Sequence, residues 1–502
     1  MEKINVGIIG CGRISDLHYL GYENNKEARI YAVCDLNPEV AEARKSQWNA
    51  EKSYTDFKEL LSDPNIDAVE ALTPHRLHAP VVIEAARANK HIAVQKPMTI
   101  SLDIAKQMLA ETKKVKKIYK VTEPYAFYPP IALAKDIIDS GEIGEPIGIR
   151  IKFIGGTSGG WKVPASCWEW RIKDNAENQG MQGLQTFDHG HHLWSTAWFL
   201  LGDVERVASW IDYADGIIDC PSVIMWKYKD SKKYGVCEYA QAADLHIPSK
   251  YYTNDEWFEI TGNRGIIFIH RCTGNIHEGP GVSLFNGKGW KHYTDVKTDW
   301  AQGFIGATNN FIGSIQGRET PLLSGDQGYE ILRFSLAIQR AARLRREVYL
   351  DEMDKRFPSF YTWRRKRMEK KKTAAERISV SLSDSGKDLS KYAPQARSLT
   401  EQLMNQFNPD AAKGWESVIG LHLEADGGIE DEMFGLFIKE GKAILKYGAL
   451  PEDAKFILRL PAGTWAAILS GKERLEEALL QGKIKMEGQA EEGLKLRAAF
   501  QL

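Results

Sequence analysis

Residues 4–15 read INVGIIGCGRIS, an apolar run that ends in a glycine-rich turn. The run Ile4–Ile9 predicts a buried strand, because a short apolar stretch bounded by glycine is typical of a parallel sheet covered on both faces. Gly10 permits a tight turn, and Gly12 lets the backbone approach a pyrophosphate. The small Ser15 then begins a helix, whose first N–H groups can bind phosphate. The stretch predicts a strand–turn–helix that holds a dinucleotide.

A second predicted strand, Ile30–Cys34, ends at Asp35, close to the ~20 residues that separate the glycines from an acidic residue in dinucleotide sites. A carboxylate there accepts hydrogen bonds from the adenosine ribose and repels a 2′-phosphate. No Arg or Lys follows in Leu36–Pro38, so the sequence favours NAD over NADP. The alternative is that Asp35 only caps the next helix.

Strand and helix patterns then alternate, as βαβ units require. They predict a strand at Asp67–Leu72, a helix at Ala79–Asn89 and a strand at His91–Val94. Two short motifs, Thr73-Pro74 and Gln95-Lys96-Pro97, follow these strands. The carboxyl ends of parallel strands are where ligands bind in such sheets.

A histidine-rich stretch, GMQGLQTFDHGHHLW at 180–194, brings four polar side chains close together: Asp188, His189, His191 and His192. On a helix Asp188 shares a face with His191 and His192, so the spacing permits either an acid/base site or a zinc site of two or three ligands. The dinucleotide turn and Lys96 favour the metal-free interpretation.

Taken in order, these motifs resemble the glucose–fructose oxidoreductase / inositol dehydrogenase (Gfo/Idh/MocA) family. That family has a Rossmann turn, then T-P-x-x-x-H, then E-K-P, then D-x-G-x-H. This chain has Thr73–His78 (TPHRLH), Gln95–Pro97 (QKP) and Asp188–His192 (DHGHH) in the same order. Gln95 departs from the usual glutamate and removes a negative charge beside Lys96.

The resemblance implies an enzyme with His192 as acid/base, Asp188 orienting it and stabilising its protonated form, and Lys96 binding the substrate hydroxyl. It implies NAD contacts by residues that follow four predicted strands: Gly10, Gly12, Arg13, Ile14, Asp35, Thr73, Pro74, His78, Gln95 and Lys96. No metal is implied. Aromatic platforms suit the apolar faces of sugar rings, so Trp161 and Trp170 are expected substrate contacts, with simple burial as the alternative. Arg171 is expected to hold a carboxylate or sugar hydroxyls, with a surface ion pair as the alternative. The other expected substrate contacts are Lys96, His189 and His191. For His189 and His191, packing is the alternative role.

The expected fold is α/β, with a Rossmann domain at 1–124 and an α+β domain with an open mixed sheet at 125–350. Strand patterns such as Ile147–Ile154 and Val223–Tyr228 support the second domain, and Gly325–Val348 predicts a long helix. In the family this helix packs back on the nucleotide domain. One face of the family's sheet is available for subunit packing, which implies a homo-oligomer.

Beyond a basic, polar linker at 351–395, residues 396–502 resemble a sterol-carrier-protein domain. The resemblance rests on Ser470-Gly471-Lys472 and on the block QGKIKMEG at Gln481–Gly488. Such α+β domains surround an apolar tunnel, which implies a lipid or other apolar ligand. The alternative is an assembly module that has lost ligand binding.

Net charge, hydropathy and cysteine usage argue against a nucleic-acid-binding, a membrane-spanning or a disulfide-bonded protein. The net charge of -1 gives no global field for nucleic acid. Neither an 18-residue apolar window nor a leader pattern is found in the sequence. Six cysteines without a C-x-x-C pair predict reduced thiols and a cytoplasmic location.

Three functional hypotheses follow. The first is an NAD-dependent oxidoreductase acting on a secondary hydroxyl of a sugar, cyclitol or glycoside. The second keeps NAD tightly bound and cleaves glycosides by transient oxidation and elimination. The third is a non-catalytic lipid-binding or scaffold protein.

Overall fold

The fold is taken from a computed structural model, which describes residues 3–161, 171, 184–212, 219–242, 244–354, 388–480 and 482–500. By its internal contacts the chain divides into two units. The first comprises Met1–Gly160 and Gly180–Lys355, and the second comprises Trp161–Gln179 and Arg356–Leu502. The two domains predicted at 1–124 and 125–350 both lie within the first unit, and most of the predicted linker lies outside the described residues.

The first sheet of unit 1 is parallel and follows the glycine-rich turn. Its strands are β1 Ile4–Ile9, β2 Ala28–Cys34, β3 Lys52–Tyr54, β4 Ala68–Ala71, β5 His91–Gln95 and β6 Tyr119–Thr122. The helices of this part are α1 Ser15–Tyr19, α2 Pro38–Trp48, α3 Phe57–Ser62, α4 His75–Arg87, α5 Leu102–Thr112 and α6 Pro129–Asp139.

The strand order within the described residues is β3-β2-β1-β4-β5-β6. The chain runs from β1 outward to β2 and β3, then crosses to β4 on the other side. The crevice at such a reversal, at the carboxyl ends of the strands, is where open α/β sheets bind ligands. The predicted Rossmann arrangement is confirmed.

The second sheet is mixed, with the order β14-β13-β12-β11-β7-β10-β9-β8-β15 among the described residues. Its strands are β7 Pro146–Gly155, β8 Val204–Ile211, β9 Ser222–Tyr228, β10 Tyr234–Gln241, β11 Asn254–Gly262, β12 Ile266–Ile269, β13 Val282–Phe285, β14 Trp290–Tyr293 and β15 Val348–Tyr349. The accompanying helices are α7 Gly190–Leu201, α8 Ala301–Ile315 and α9 Gly325–Leu344.

Helix α9 joins the two sheets into one unit. It begins with a capping box between Ser324 and Gln327 and ends before Arg345, which has a left-handed backbone with φ 53°. Its Tyr329, Leu332 and Leu336 belong to the apolar core beneath the first sheet. The helix is four residues shorter than predicted, because the chain turns at Arg345 and enters β15.

Unit 2 contains a five-stranded sheet in the order β18-β17-β16-β19-β20 within its described part. The strands are β16 Ser417–Glu424, β17 Glu432–Lys439, β18 Lys442–Tyr447, β19 Phe456–Pro461 and β20 Lys485–Gly488, and the helices are α10 Ala396–Leu403, α11 Ala462–Leu469, α12 Leu475–Leu480 and α13 Ala490–Phe500. Apolar patterns predict strands at Val418–Glu424, Met433–Ile438 and Ala443–Tyr447 and a helix at Thr464–Leu469, and the structure has these elements with small shifts. Strand β20 was missed, because its alternating lysines and glutamate hide the apolar pattern.

Among the described residues, no helix is both long and apolar enough to cross a membrane. Five cysteines are buried free thiols: Cys11, Cys34, Cys220, Cys237 and Cys272. Cys167 lies outside the described part of the chain.

Candidate active site

The turn after β1 has the two glycine functions that its sequence predicts. Gly10 has φ +96°, and a Cβ there would lie 2.7 Å from the carbonyl oxygen of Leu72. Gly12 faces open space, with nothing within 4 Å of where a Cβ would lie. Only glycine fits the first position, whereas at the second the missing side chain leaves the backbone accessible to a ligand.

Asp35 lies directly after β2 and faces this turn. Its Oδ2 accepts a hydrogen bond from the Cys11 N–H at 3.0 Å, and its Oδ1 accepts one from the Asn37 N–H at 3.0 Å. The side chain of Asn37, not that of Asp35, caps α2 by accepting from the Glu39 N–H. Asp35 is therefore positioned beside the phosphate turn, and the helix-cap alternative does not hold.

The neighbouring predicted cofactor residues Arg13 and Ile14 continue the turn. Arg13 is half-exposed and pairs with Asp16 at 3.1 Å. Ile14 is half-buried against the core of the first sheet. The structure assigns Ile14 a packing role, while a phosphate contact by Arg13 stays a prediction.

The turn after β4 supports a cofactor through Thr73. Among the described residues, the buried Thr73 Oγ1 has no hydrogen-bond partner, although it lies at the carboxyl edge of the sheet beside Pro74. Buried hydroxyls in folded proteins are nearly always satisfied. This hydroxyl without a partner among the described residues therefore fits a site in which a ligand such as NAD occupies the crevice.

His78 differs from its predicted role. It is fully buried, with Nδ1 2.9 Å from the Pro97 carbonyl and Nε2 2.8 Å from the Thr73 carbonyl. Burial lowers its pKa to about 3, so the ring is neutral and donates to one carbonyl only. His78 links two turns of the crevice and leaves neither nitrogen for a cofactor.

Lys96 follows β5, and its ammonium group is held by the histidine-rich stretch. Its Nζ donates to Asp188 Oδ1 at 2.9 Å and to the Asp188 carbonyl at 2.8 Å. Asp188 Oδ1 also lies 3.4 Å from His75 Nε2. The side chain of Gln95 lies in the protein interior, where its Oε1 accepts from the Lys96 N–H at 2.7 Å.

From Leu184 the histidine-rich stretch forms a wide π-helical turn, Leu184–His189, and continues as α7. The buried Asp219 caps it: its two carboxylate oxygens accept the N–H groups of Gln185 and Thr186 at 2.7 and 2.8 Å. Burial raises the pKa of Asp219, against the opposing effect of these bonds. Single π-helical turns occur often at functional sites.

His192 is paired with a residue that the sequence did not single out. Its Nδ1 lies 2.7 Å from Glu123 Oε1, and both side chains are buried. Among the described residues Nε2 has no hydrogen-bond partner, and the ring of Tyr125 stacks on the imidazole at 4.4 Å. Burial lowers the pKa of His192 well below its ordinary value, so the ring is neutral and Nε2 can accept a proton.

The predicted partnership of Asp188 with His192 is thus replaced by two separate pairs, Lys96 with Asp188 and His192 with Glu123. The family resemblance implied that partnership, and α-helical spacing, in which residues four apart share a face, was compatible with it. Asp188 lies in the π-helical turn, where that spacing does not apply. Glu123 directly follows β6, at the same sheet edge as Lys96, and this position was the signal that could have found it.

The remaining predicted substrate residues divide into three groups. His189 Nε2 pairs with the buried Glu256 at 3.0 Å, and His191 is buried beside Phe187. Trp161 and Arg171 belong to unit 2, and their substrate contacts stay predictions. Trp170 lies outside the described residues.

Within the described ranges, no group of three His, Cys, Asp or Glu side chains is arranged to hold a metal ion. Two of these histidines instead pair with one carboxylate each, His189 with Glu256 and His192 with Glu123. The described geometry is that of an acid/base site beside a nucleotide crevice.

Comparisons with known proteins agree with this geometry. Residues 4–123 match the oxidoreductase family with an NAD-binding Rossmann fold, residues 135–350 match the C-terminal α/β domain of the same family, and residues 399–501 match the SCP-2 sterol transfer family.

Among curated relatives, myo-inositol 2-dehydrogenase of Thermotoga maritima is 26% identical over 364 residues, which cover 70% of this chain and 99% of the relative. Levoglucosan dehydrogenase of Pseudarthrobacter phenanthrenivorans is 30% identical over 223 residues, 42% of this chain and 55% of that protein. A solved levoglucosan dehydrogenase, in complex with NADH and L-sorbose, has a TM-score of 0.59 at 20% identity and covers 70% of this chain and 99% of its own.

The two oxidoreductase profiles together span both sheets of unit 1 and the crevice between its turns. The chain therefore belongs to the Gfo/Idh/MocA oxidoreductase family and carries an SCP-2 sterol transfer domain at residues 399–501.

Proposed function

We propose that this protein oxidises a secondary hydroxyl of a cyclitol or sugar with NAD. The observation that carries the proposal is the pairing of His192 Nδ1 with Glu123, which leaves Nε2 without a partner among the described residues. Names of relatives that act on inositols and on levoglucosan support the substrate class.

Four residues have distinct roles in the proposed reaction. The unprotonated Nε2 of His192 accepts the hydroxyl proton, while Glu123 holds the Nδ1–H and stabilises the imidazolium that forms. Lys96 donates a hydrogen bond to the substrate oxygen, and Asp188 fixes the direction of its ammonium group. NAD, when bound, supplies the hydride acceptor.

The chain offers a set of groups for NAD at the carboxyl edge of the first sheet. Gly12 would admit the pyrophosphate, Asp35 would bind the adenosine ribose, and Thr73 Oγ1 would supply a hydroxyl that now lacks a partner among the described residues. Arg13 would reach a phosphate oxygen. These assignments fit the residues present and are part of the proposal.

A panel of substrates tests the reaction class. Purified protein is mixed with NAD and with myo-inositol, scyllo-inositol, levoglucosan and a set of aryl glycosides, and NADH formation is followed by absorbance. Stoichiometric NADH is expected with at least one free polyol. Release of the aglycone without NADH would instead support the glycoside-cleaving alternative, and no NAD-linked turnover across the panel would contradict both.

We infer that the protein is a homo-oligomer through the outer face of the second sheet. On that face Trp210 pairs with Val223 across β8 and β9, and Met225 lies beside Ala208. Their exposures are 63% for Trp210, 37% for Val223 and 39% for Met225. Neighbouring exposed apolar side chains of this size are typical of protein interfaces.

For residues 399–501 we propose binding of an apolar ligand, on the strength of the SCP-2 family match. Saturable displacement of a fluorescent fatty acid from the full chain would support this role. Failure to bind, together with a changed oligomeric state after deletion of these residues, would favour the assembly alternative.

A further inference from the structure

The position before Lys96 departs from its family, and the structure shows what the departing residue contacts. Gln95 is buried, and its Oε1 accepts from the Lys96 N–H at 2.7 Å. Its Nε2 lies 2.9 Å from His18 Nε2. His18 in turn places Nδ1 2.9 Å from Glu70 Oε1. A continuous hydrogen-bonded chain therefore joins Glu70 to the backbone of Lys96.

The direction of every bond in this chain is fixed by its first donor. The Lys96 N–H can only donate, so the oxygen of the Gln95 amide must face it and the amide N–H must face His18. His18 Nε2 is then an acceptor. A neutral imidazole has one N–H, so the proton lies on Nδ1 and is donated to Glu70.

The far end of the chain is built to keep Glu70 ionised. Glu70 Oε2 accepts from the Tyr22 hydroxyl at 3.1 Å, and Oε1 lies 3.4 Å from the Thr122 hydroxyl. The fully buried Lys120 lies nearby. Burial acts to raise the pKa of Glu70, but the interactions with His18 and Tyr22 and the charge of Lys120 outweigh it, so the pKa falls below its ordinary value.

Lys120 is the basic group of this buried region, and burial lowers its pKa to about 7. Its Nζ donates to Asn310 Oδ1 at 2.8 Å, and Asn310 is bound to Glu319 at 2.8 Å. The imidazole of His18 also packs against the ring of Phe304 in an edge-to-face arrangement, with the ring centres 5.0 Å apart. The titratable groups that face the chain are thus Glu70 and Lys120, with Glu319 beyond Asn310.

We propose that Glu70 is a positioning residue for Lys96, acting through His18 and Gln95, and that the chain requires one carboxylate in total at positions 70 and 95. A second carboxylate, at position 95, would face the lone pair of His18 Nε2 with no proton between them, which is unfavourable in a buried site. The carboxylate that the family usually has at position 95 is thus absent here, and Glu70 provides the one carboxylate of the chain. This inference rests on the proposed function of Lys96.

The test compares four proteins in the full chain: native, Glu70→Gln, Gln95→Glu and the Glu70→Gln/Gln95→Glu double variant. In Gln95→Glu, kcat/KM falls about tenfold or more, because two carboxylates then flank one imidazole ring and one of them faces the Nε2 lone pair. The double variant again has one carboxylate and recovers to within about threefold of native. In it the chain runs with reversed polarity, since Nε2–H donates to the new carboxylate and Nδ1 accepts from the new amide.

A purely structural role predicts the opposite: the losses of the two single variants multiply in the double variant, with no recovery. That result would overturn the proposal. Gln327→Glu is the matched control, because Gln327 also accepts a backbone N–H, from Ser324 at 3.0 Å. It should leave kcat/KM and its pH profile unchanged.

A second measurement needs no substrate, so its failure is distinguishable from failure of the proposed function. Nitrogen NMR of protein with labelled histidines, with His18 assigned by His18→Gln, reports which ring nitrogen carries the proton. The native protein should carry it on Nδ1, and the double variant on Nε2. A native His18 protonated on Nε2 contradicts the proposal even if the variants fail to fold.

Discussion

His192 Nδ1 lies 2.7 Å from Glu123 Oε1, although the two residues are 69 positions apart in the chain. Burial raises the pKa of Glu123 to about 7, and burial lowers the pKa of His192. The pair therefore has its basic form, a carboxylate beside a neutral imidazole, only above neutral pH.

This pairing predicts the pH profile of the reaction. As the pH falls through about 7, Glu123 takes up a proton and no longer accepts from Nδ1, so kcat/KM for oxidation should fall on the acid side. Glu123→Gln removes the titrating carboxylate. The variant should be slower, by ~10–100-fold, and should lack this acid limb. An unchanged limb in the variant would assign the titration to another group.

Removal of the base itself should separate chemistry from cofactor binding. His192→Ala is expected to lower kcat by ~10²–10⁴-fold, the usual contribution of a general base. NAD affinity, measured by fluorescence titration, should stay within a factor of about two, because His192 lies on α7, away from the Gly10–Ser15 turn. Turnover at the native rate would refute the proposed role of His192.

Two neighbouring glycines should respond differently to the same substitution. Gly10→Ala forces a side chain into a left-handed backbone, 2.7 Å from the Leu72 carbonyl, and should destabilise unit 1 by ~1–3 kcal/mol in thermal unfolding. Gly12→Ala adds a methyl group in open space and should leave the unfolding temperature unchanged. It should weaken NAD binding at least about tenfold, because the methyl group occupies the path of the pyrophosphate.

The cap of the π-helical turn provides a test of the scaffold. Asp219→Asn keeps one acceptor oxygen and leaves the other N–H of the Gln185–Thr186 pair poorly satisfied, at a cost of ~1–3 kcal/mol. Both the unfolding temperature and kcat should fall, since the turn holds Asp188. Asp212→Asn, an exposed position, is the matched control and should change neither quantity.

The outer face of the second sheet predicts the oligomeric state. Met225→Glu places a charge in the middle of the apolar patch and should shift the protein to a smaller species in light scattering coupled to gel filtration. Leu344→Glu, at an exposed apolar residue on the end of α9, should leave the mass unchanged. A native protein that already runs as a monomer would contradict the proposed interface.

Local sequence patterns determined the fold of this protein to a large extent. The glycine turn after Ile4–Ile9 and the alternation of strand and helix predicted the parallel sheet, because backbone geometry and burial of a strand depend mainly on neighbouring residues. Motif order identified the family, and the same motifs placed Lys96, Asp188 and His192 in one site. Periodicity also predicted the elements of the C-terminal domain.

The tertiary structure alone decided the partners within that site. The pairing of His192 with Glu123, the pairing of Lys96 with Asp188, and the chain from Gln95 to Glu70 all join residues on different strands and helices. Such contacts depend on which strands become neighbours and on a π-helical turn that spacing rules do not predict. Sequence periodicity describes the direction of a side chain along its own element, whereas its partner is set by packing between elements.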